Sequence, residues 1–286
     1  MSTDLPEAAL FNRADHGTQP HQLVILTANG TTWLEQLALR YRQLRSETRV
    51  EPVGLTLDGV EILSVRKLKN RLAASQIADR SGGNFDIIRS DLGEIILNYV
   101  GQELDGFQYG YQSIRDRELK NLAGRSIDQI GVKTTQGPDG QTNLALMLGE
   151  AKVSTEPKSP PSVVDTKKDS LSKSHTKQLA EVESTADKIW HAYKFCVDQE
   201  TQMLFGLAVE MFESAHPQLT VYASSVLVRP NSIASINDFG SYLDNPDQFN
   251  GAVVNFYIVR ANSDDLEGLV DTFFELATTE PSKDAT

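Results

Sequence analysis

Apolar positions along the chain recur at two spacings, one suited to strands and one to helices. Residues 22–27 (QLVILT) form a short, nearly continuous apolar run, which predicts a buried strand. Residues 31–45 follow helical spacing, with Trp33, Leu34, Leu37 and Leu44 on the apolar side. A loose alternation over 50–65 predicts a strand pair. Residues 64–79 then predict a helix with a basic cluster on one side, ending at Ser81-Gly82-Gly83. The stretch 85–103 is apolar nearly all round (Ile87, Ile88, Leu92, Ile95, Ile96, Leu97, Tyr99, Val100), and such a helix is expected to be buried.

From Asp128 the period changes. Residues 129–135 and 142–154 are strand-like and flank Gln-Gly-Pro-Asp-Gly-Gln, a strong turn signal. The second strand, NLALMLGEAKVS, is apolar on both faces until Glu150, so it belongs in the middle of a sheet. Residues 156–174, rich in Pro, Ser and Lys, read as a flexible loop. A long helix over 175–197 and another over 202–212 follow. Strands are expected over 219–228 and 251–259, and a closing helix over 264–277 capped by Ser263. Residues 1–20 and 278–286 read as polar tails. The expected fold is α/β (α+β): a mixed central sheet flanked by helices, in a single domain over 21–277.

Composition narrows the classes. With 286 residues, 40% hydrophobic and 23% charged, the chain has ample length for a core and is neither disordered nor collagen-like. No apolar run approaches the roughly 18–20 residues that span a bilayer, so no membrane association is expected. The amino terminus lacks the layout of a secretory signal, and the single Cys196 fits a reducing cytoplasm. Net charge is −12, which argues against a protein held to nucleic acid by bulk electrostatics alone. That average hides an asymmetry. Residues 1–180 hold 22 basic and 22 acidic side chains, whereas 181–286 hold 5 and 17. Two basic concentrations stand out, Arg66, Lys67, Lys69 and Arg71, then Lys167, Lys168, Lys173 and Lys177. On their own they read as solvated faces.

Phosphate-binding glycine loops, His-Glu-x-x-His, Cys-x-x-Cys and Gly-x-Ser-x-Gly are all absent. The five histidines (16, 21, 175, 191, 216) show no ligand spacing and read as surface or loop residues. Acid-x-Lys occurs four times, at Glu118/Lys120, Glu150/Lys152, Glu156/Lys158 and Asp165/Lys167. Only Glu150/Lys152 leaves an apolar strand, where residues two apart share a face roughly 6–7 Å from each other. If the hairpin closes at Gly-Pro-Asp-Gly, cross-strand partners sum to 277 or 278, which sets Asp128 opposite Gly149 or Glu150. Two such carboxylates suit a magnesium ion that keeps several waters. Glu94, inside the apolar helix, needs an ion pair, a hydrogen bond or a solvated site to sit there.

Ser90-Asp91-Leu92-Gly93-Glu94, then Asp128-Gln129-Ile130-Gly131-Val132, a hairpin, and Leu148-Gly149-Glu150-Ala151-Lys152 together resemble the PD-(D/E)XK nuclease core. The likeness covers about 85–195, and Ile127 stands where the name-giving proline would be. More narrowly, the length, the layout around Gly-Glu-Ala-Lys and the carboxy-terminal strand and helix resemble the HamA family, nuclease-like subunits of the bacterial Hachiman anti-phage system. The resemblance implies a restriction-endonuclease-like core and hydrolysis of DNA dependent on Mg²⁺, with Mn²⁺ as an alternative ion. It implies metal binding by Asp128 and Glu150, water activation by Lys152, and an auxiliary role for Glu94. It also implies a partner, a superfamily 2 helicase subunit of the HamB kind. Thr176 and Gln178, read as starting the next helix, are candidates for phosphate contact.

Two other functions remain open at this stage. One is a non-catalytic nuclease-fold adaptor whose acidic carboxy-terminal part docks a basic partner. The other is a stand-alone restriction or repair nuclease. For the nuclease, the charge asymmetry predicts weak, salt-sensitive DNA binding by the isolated chain, with a partner supplying most of the affinity.

Overall fold

The computed structural model of the protein describes residues 10–48, 53–77, 85–117, 127–137 and 140–279. Strand β1 (Phe11–Asp15) pairs antiparallel with β2 (Gln22–Ala28), and helix α1 (Trp33–Ser46) follows. A separate ribbon, β3 (Leu55–Leu57) and β4 (Val60–Leu63), leads into α2 (Val65–Gln76). The apolar helix α3 (Phe85–Tyr99) runs on into a wide π turn over Val100–Leu104. Then come β5 (Gln108–Gln112), the single turn α4 (Ser113–Asp116), β6 (Gln129–Gln136) and β7 (Thr142–Val153). Helices α5 (Ser162–Asp165), α6 (Leu171–Ala180), α7 (Val182–Phe195) and α8 (Gln199–Glu213) precede β8 (Leu219–Arg229). The chain closes with α9 (Ser241–Asp244), β9 (Val253–Arg260) and α10 (Leu266–Thr278).

Seven strands form one mixed sheet in the order β1-β2-β9-β8-β7-β6-β5. The middle four, β2, β9, β8 and β7, are parallel to one another, and antiparallel strands close each edge. Helices cover both faces, as parallel strands require. α1, α3 and α10 bury Leu37, Ile95, Ile96 and Phe273 on one side. α6, α7 and α8 bury Leu171, Ile189, Phe205 and Val209 on the other. This is the expected mixed sheet between helices, with β7 central as its two apolar faces predicted.

Four expectations are corrected. The polar stretch over 1–20 is not all tail, because Phe11–Asp15 adds an edge strand to β2. Residues 156–174 are not an open loop. Glu156 accepts hydrogen bonds from the backbone and hydroxyl of Ser162, both at 2.6 Å, and so starts α5. Val164, Ser170 and Leu171 are buried, so the segment is packed despite its polar composition. The expected helix over 175–197 begins earlier and is broken at Glu181, whose backbone leaves helical geometry (φ −94°, ψ 69°) between α6 and α7. The cap of α10 is Asp265, which accepts from Gly268 N at 2.9 Å. Ser263 instead accepts from Asp265 N. The Ser81-Gly82-Gly83 stop, the Pro138-Asp139 turn tip, the Glu118/Lys120 pair and residues 280–286 lie outside the described residues.

Candidate active site

The β6–β7 hairpin pairs Gln129 with Gly149, so every opposed pair sums to 278. Carried back one residue, that register sets Asp128 opposite Glu150, and directly opposed residues share a face. Asp128 does not continue the ladder. Its Oδ2 accepts from Ala151 N at 2.8 Å, which turns the carboxylate toward the end of β7. Residues 144, 146 and 148 face α6–α8, so Glu150 and Lys152 emerge on that side. Glu150 is 8% exposed and accepts from Gln178 Nε2 of α6 at 2.6 Å. Lys152 Nζ lies 4.0 Å from Asp169 Oδ2, an exposed carboxylate.

Glu94 approaches from α3. That helix can press against β7 because Gly93 has no side chain: a Cβ there would lie 3.2 Å from Val153 and 3.4 Å from Ala151. Glu94 is 3% exposed and is held by hydroxyls, accepting from Ser113 Oγ and, at 3.1 Å, from Ser90 Oγ. Its backbone carbonyl accepts from Gln129 Nε2 at 2.9 Å, tying the helix to β6. Behind it lies a buried ion pair. Arg117 donates twice to Asp91, which also accepts from Tyr41 Oη at 2.7 Å. Arg117 stands 3.9 Å from Glu94.

The three acids disturb one another. Burial, and then Asp128 and Asp91, hold the Glu94 carboxyl above the usual carboxylate range, against Arg117 and the Ser113 bond. Burial and then Glu150 push Asp128 up, opposed by the Ala151 amide, Lys152 and Arg117. Burial also raises Glu150, against Lys152, the Gln178 bond and Lys188, with Glu94 adding to the rise. Like charges gathered in a partly dry place are costly unless protonated or neutralised.

Beside Glu150 a cavity of about 170 Å³ is lined by Ser174, Lys177, Gln178, Thr185 and Lys188. Gln178 is 6% exposed, yet among the described residues its Oε1 has no hydrogen-bond partner, and neither has Gln129 Oε1. Among the described residues no three His, Cys, Asp or Glu side chains stand close enough to enclose an ion together. A hard divalent ion such as Mg²⁺ needs only one or two carboxylates with waters, and the Asp128–Glu150 pair, neutralised by a cation, fits that need. A larger cavity, about 580 Å³, lies elsewhere, where Leu204, Leu207 and Met211 of α8 meet Thr142–Leu144.

All four sequence-nominated residues therefore sit around the end of the β6–β7 hairpin. Gln178 belongs there too, but for another reason than expected. α6 starts at Leu171, so Gln178 is near its far end and bonds Glu150, while Thr176 is exposed. Lys188, on α7, was missed; only the fold brings it to Glu150. His175 is corrected from surface to core: Nε2 faces Leu148 O at 3.1 Å and Nδ1 faces Tyr242 Oη at 2.7 Å. No protein-family model matches the chain, and no curated protein matches it in sequence.

Proposed function

We infer that the protein is a metal-dependent DNA nuclease of the PD-(D/E)XK kind, acting in anti-phage defence with, and restrained by, a partner helicase. The observation that carries this reading is the convergence of Asp128, Glu150 and Lys152 at one hairpin end, with Glu94 reaching them from the preceding helix. Asp128 and Glu150 would hold Mg²⁺ or Mn²⁺. When bound, such an ion supplies a Lewis acid that offsets phosphate charge and acidifies coordinated water.

The chain's own residues supply the rest. Lys152 places an ammonium beside the phosphate and orients the attacking water. Gln178 fixes the Glu150 carboxylate through Nε2, and Ser113 and Ser90 fix Glu94. Arg117 keeps the space behind Glu94 cationic, so Glu94 is held in place without a full ion pair. The acidic surface after residue 180 would face a basic partner and steer DNA to the neutral half.

Plasmid cleavage in Mg²⁺ tests the reading, with wild type compared with Glu150→Ala plus Lys152→Ala, both free of the partner and in an activated complex. Cleavage by wild type alone is expected. Equal cleavage by both proteins overturns the assignment. Normal partner binding without any Mg²⁺ or Mn²⁺ binding by calorimetry favours the adaptor instead.

A further inference from the structure

The basic cluster of α2 and the ribbon before it take no part in the carboxylate site, yet both run against what local stability asks. α2 is capped by Ser64, whose Oγ accepts from Lys67 N at 3.3 Å. Arg66 and Lys67 fill the next-to-first positions of the helix, where its dipole favours acids, and VRKLKNRLAASQ contains no acid at all. Lys69 and Arg71 continue the charge, and Arg66, Lys67 and Arg71 are exposed. The ribbon turns apolar side chains to solvent: Val60 is 62% exposed, Ile62 61%, and Val53, just before it, 73%. A two-stranded ribbon outside the main sheet is marginal by itself and gains nothing from apolar groups left in water.

This unit is tied to the active site. Arg45 of α1 donates through Nε to the carbonyl of Gln76, at the end of α2, at 3.0 Å. The same guanidinium donates to the carbonyl of Ile114, and the preceding residue, Ser113, donates to Glu94. The basic turn thus stands about 15 Å along α2 from a joint one residue away from the site.

We propose that the β3–β4 ribbon and the first turns of α2 grip the DNA duplex flanking the cleavage position. The basic side chains hold phosphates, while Val60 and Ile62 lie in a groove. The charge is complementary to a polyanion, a two-stranded ribbon fits a DNA groove, and exposed aliphatic side chains act there as wedges. The tie through Arg45 to the proposed phosphodiester-cleaving site favours nucleic acid over an acidic protein. The proposal rests on the DNA-hydrolysis reading above.

Anisotropy of a fluorescein-labelled DNA duplex, titrated with the full chain at several salt concentrations in EDTA, tests it. Lys67→Glu with Arg71→Glu is expected to weaken binding on the order of tenfold or more and to lower the salt slope by about two. Val60→Ser with Ile62→Ser is expected to weaken binding at an unchanged slope. These side chains are exposed, and unchanged melting temperatures confirm intact folds. Wild-type affinity in both grip variants overturns the proposal. So does wild-type DNA affinity combined with loss of a protein partner, which assigns the ribbon to that partner. The nuclease reading fails separately: a wild type that binds through the grip but cuts nothing in Mg²⁺, alone or activated, loses its active site and keeps its grip.

Discussion

Two groups of buried charge lie near the end of β7, and they are built in opposite ways. In the first, Arg229 donates to Asp238 at 3.2 Å and to the carbonyls of Ser154, Glu156 and Lys158 at 2.7–3.1 Å. Asp238 also accepts from Ser159 Oγ at 2.6 Å and Ser235 N at 3.1 Å, so each charge meets its opposite or a matching dipole. In the second, burial and then a neighbouring carboxylate raise the pKa of Glu94 and Asp128, and burial raises that of Glu150 with Glu94 adding to it. Gln178 and Gln129 each leave an oxygen without a partner among the described residues. The first cluster holds the chain after β7 against the sheet and asks for nothing more. The second is incomplete as a piece of structure, and an incomplete buried polar cluster is where chemistry is expected.

The contrast predicts opposite responses to mutation. The largest effect belongs to the second cluster: Lys152→Ala should cut Mg²⁺-dependent cleavage by roughly 10²–10⁴-fold with a melting temperature near wild type. In the first cluster, Asp238→Ala should cost about 3–5 kcal/mol in urea denaturation, since it leaves Arg229 buried and uncompensated. A stability change near zero there would remove the contrast.

His175 sharpens it on the pH axis. A carbonyl can only accept, so Nε2–H donates to Leu148 O and Nδ1 accepts from Tyr242 Oη, leaving a neutral, satisfied ring. Burial lowers its pKa to about 4, with the Leu148 bond opposing. The folded value lies below the unfolded one, so this contribution is fully present above about pH 6.5 and is lost as pH falls toward 4. About 3 kcal/mol should disappear across that window, and His175→Gln should flatten this part of the stability profile. An unchanged profile in the variant would show that His175 is not the group responsible.

Periodic segments were legible in the sequence because their own residues carry the signal. β7 is apolar on both faces, α3 nearly all round, and hairpin arithmetic narrowed the place of Asp128 to opposite Gly149 or Glu150, between which the β6–β7 register decides for Glu150. Glu94 was legible as an acid in an apolar helix. What sequence could not show is order imposed from far away. α5 and the start of α6 form in a Pro/Ser/Lys-rich stretch because Glu156 caps Ser162 and Arg229 ties down three carbonyls across 71–75 residues of chain. β1 is polar and exists because β2 offers it an edge. β5 (QYGYQ) alternates over only five residues, too short a signal by itself, and is held by β6 and by Asn98 bonding Gln112 at 2.9 Å. Lys188 reaches Glu150 only through the break at Glu181, which local pattern does not announce.

The central claim is that the second cluster is built for a divalent ion at the expense of the apo fold, and thermal unfolding of wild type and Glu150→Gln with and without Mg²⁺ tests it most directly. Without metal the variant loses a buried like charge but can keep its bond from Gln178, so it should be more stable than wild type by roughly 1–3 kcal/mol. Adding Mg²⁺ should raise the wild-type midpoint and leave the variant where it was. A wild type indifferent to Mg²⁺, together with a variant less stable than it, would contradict the account.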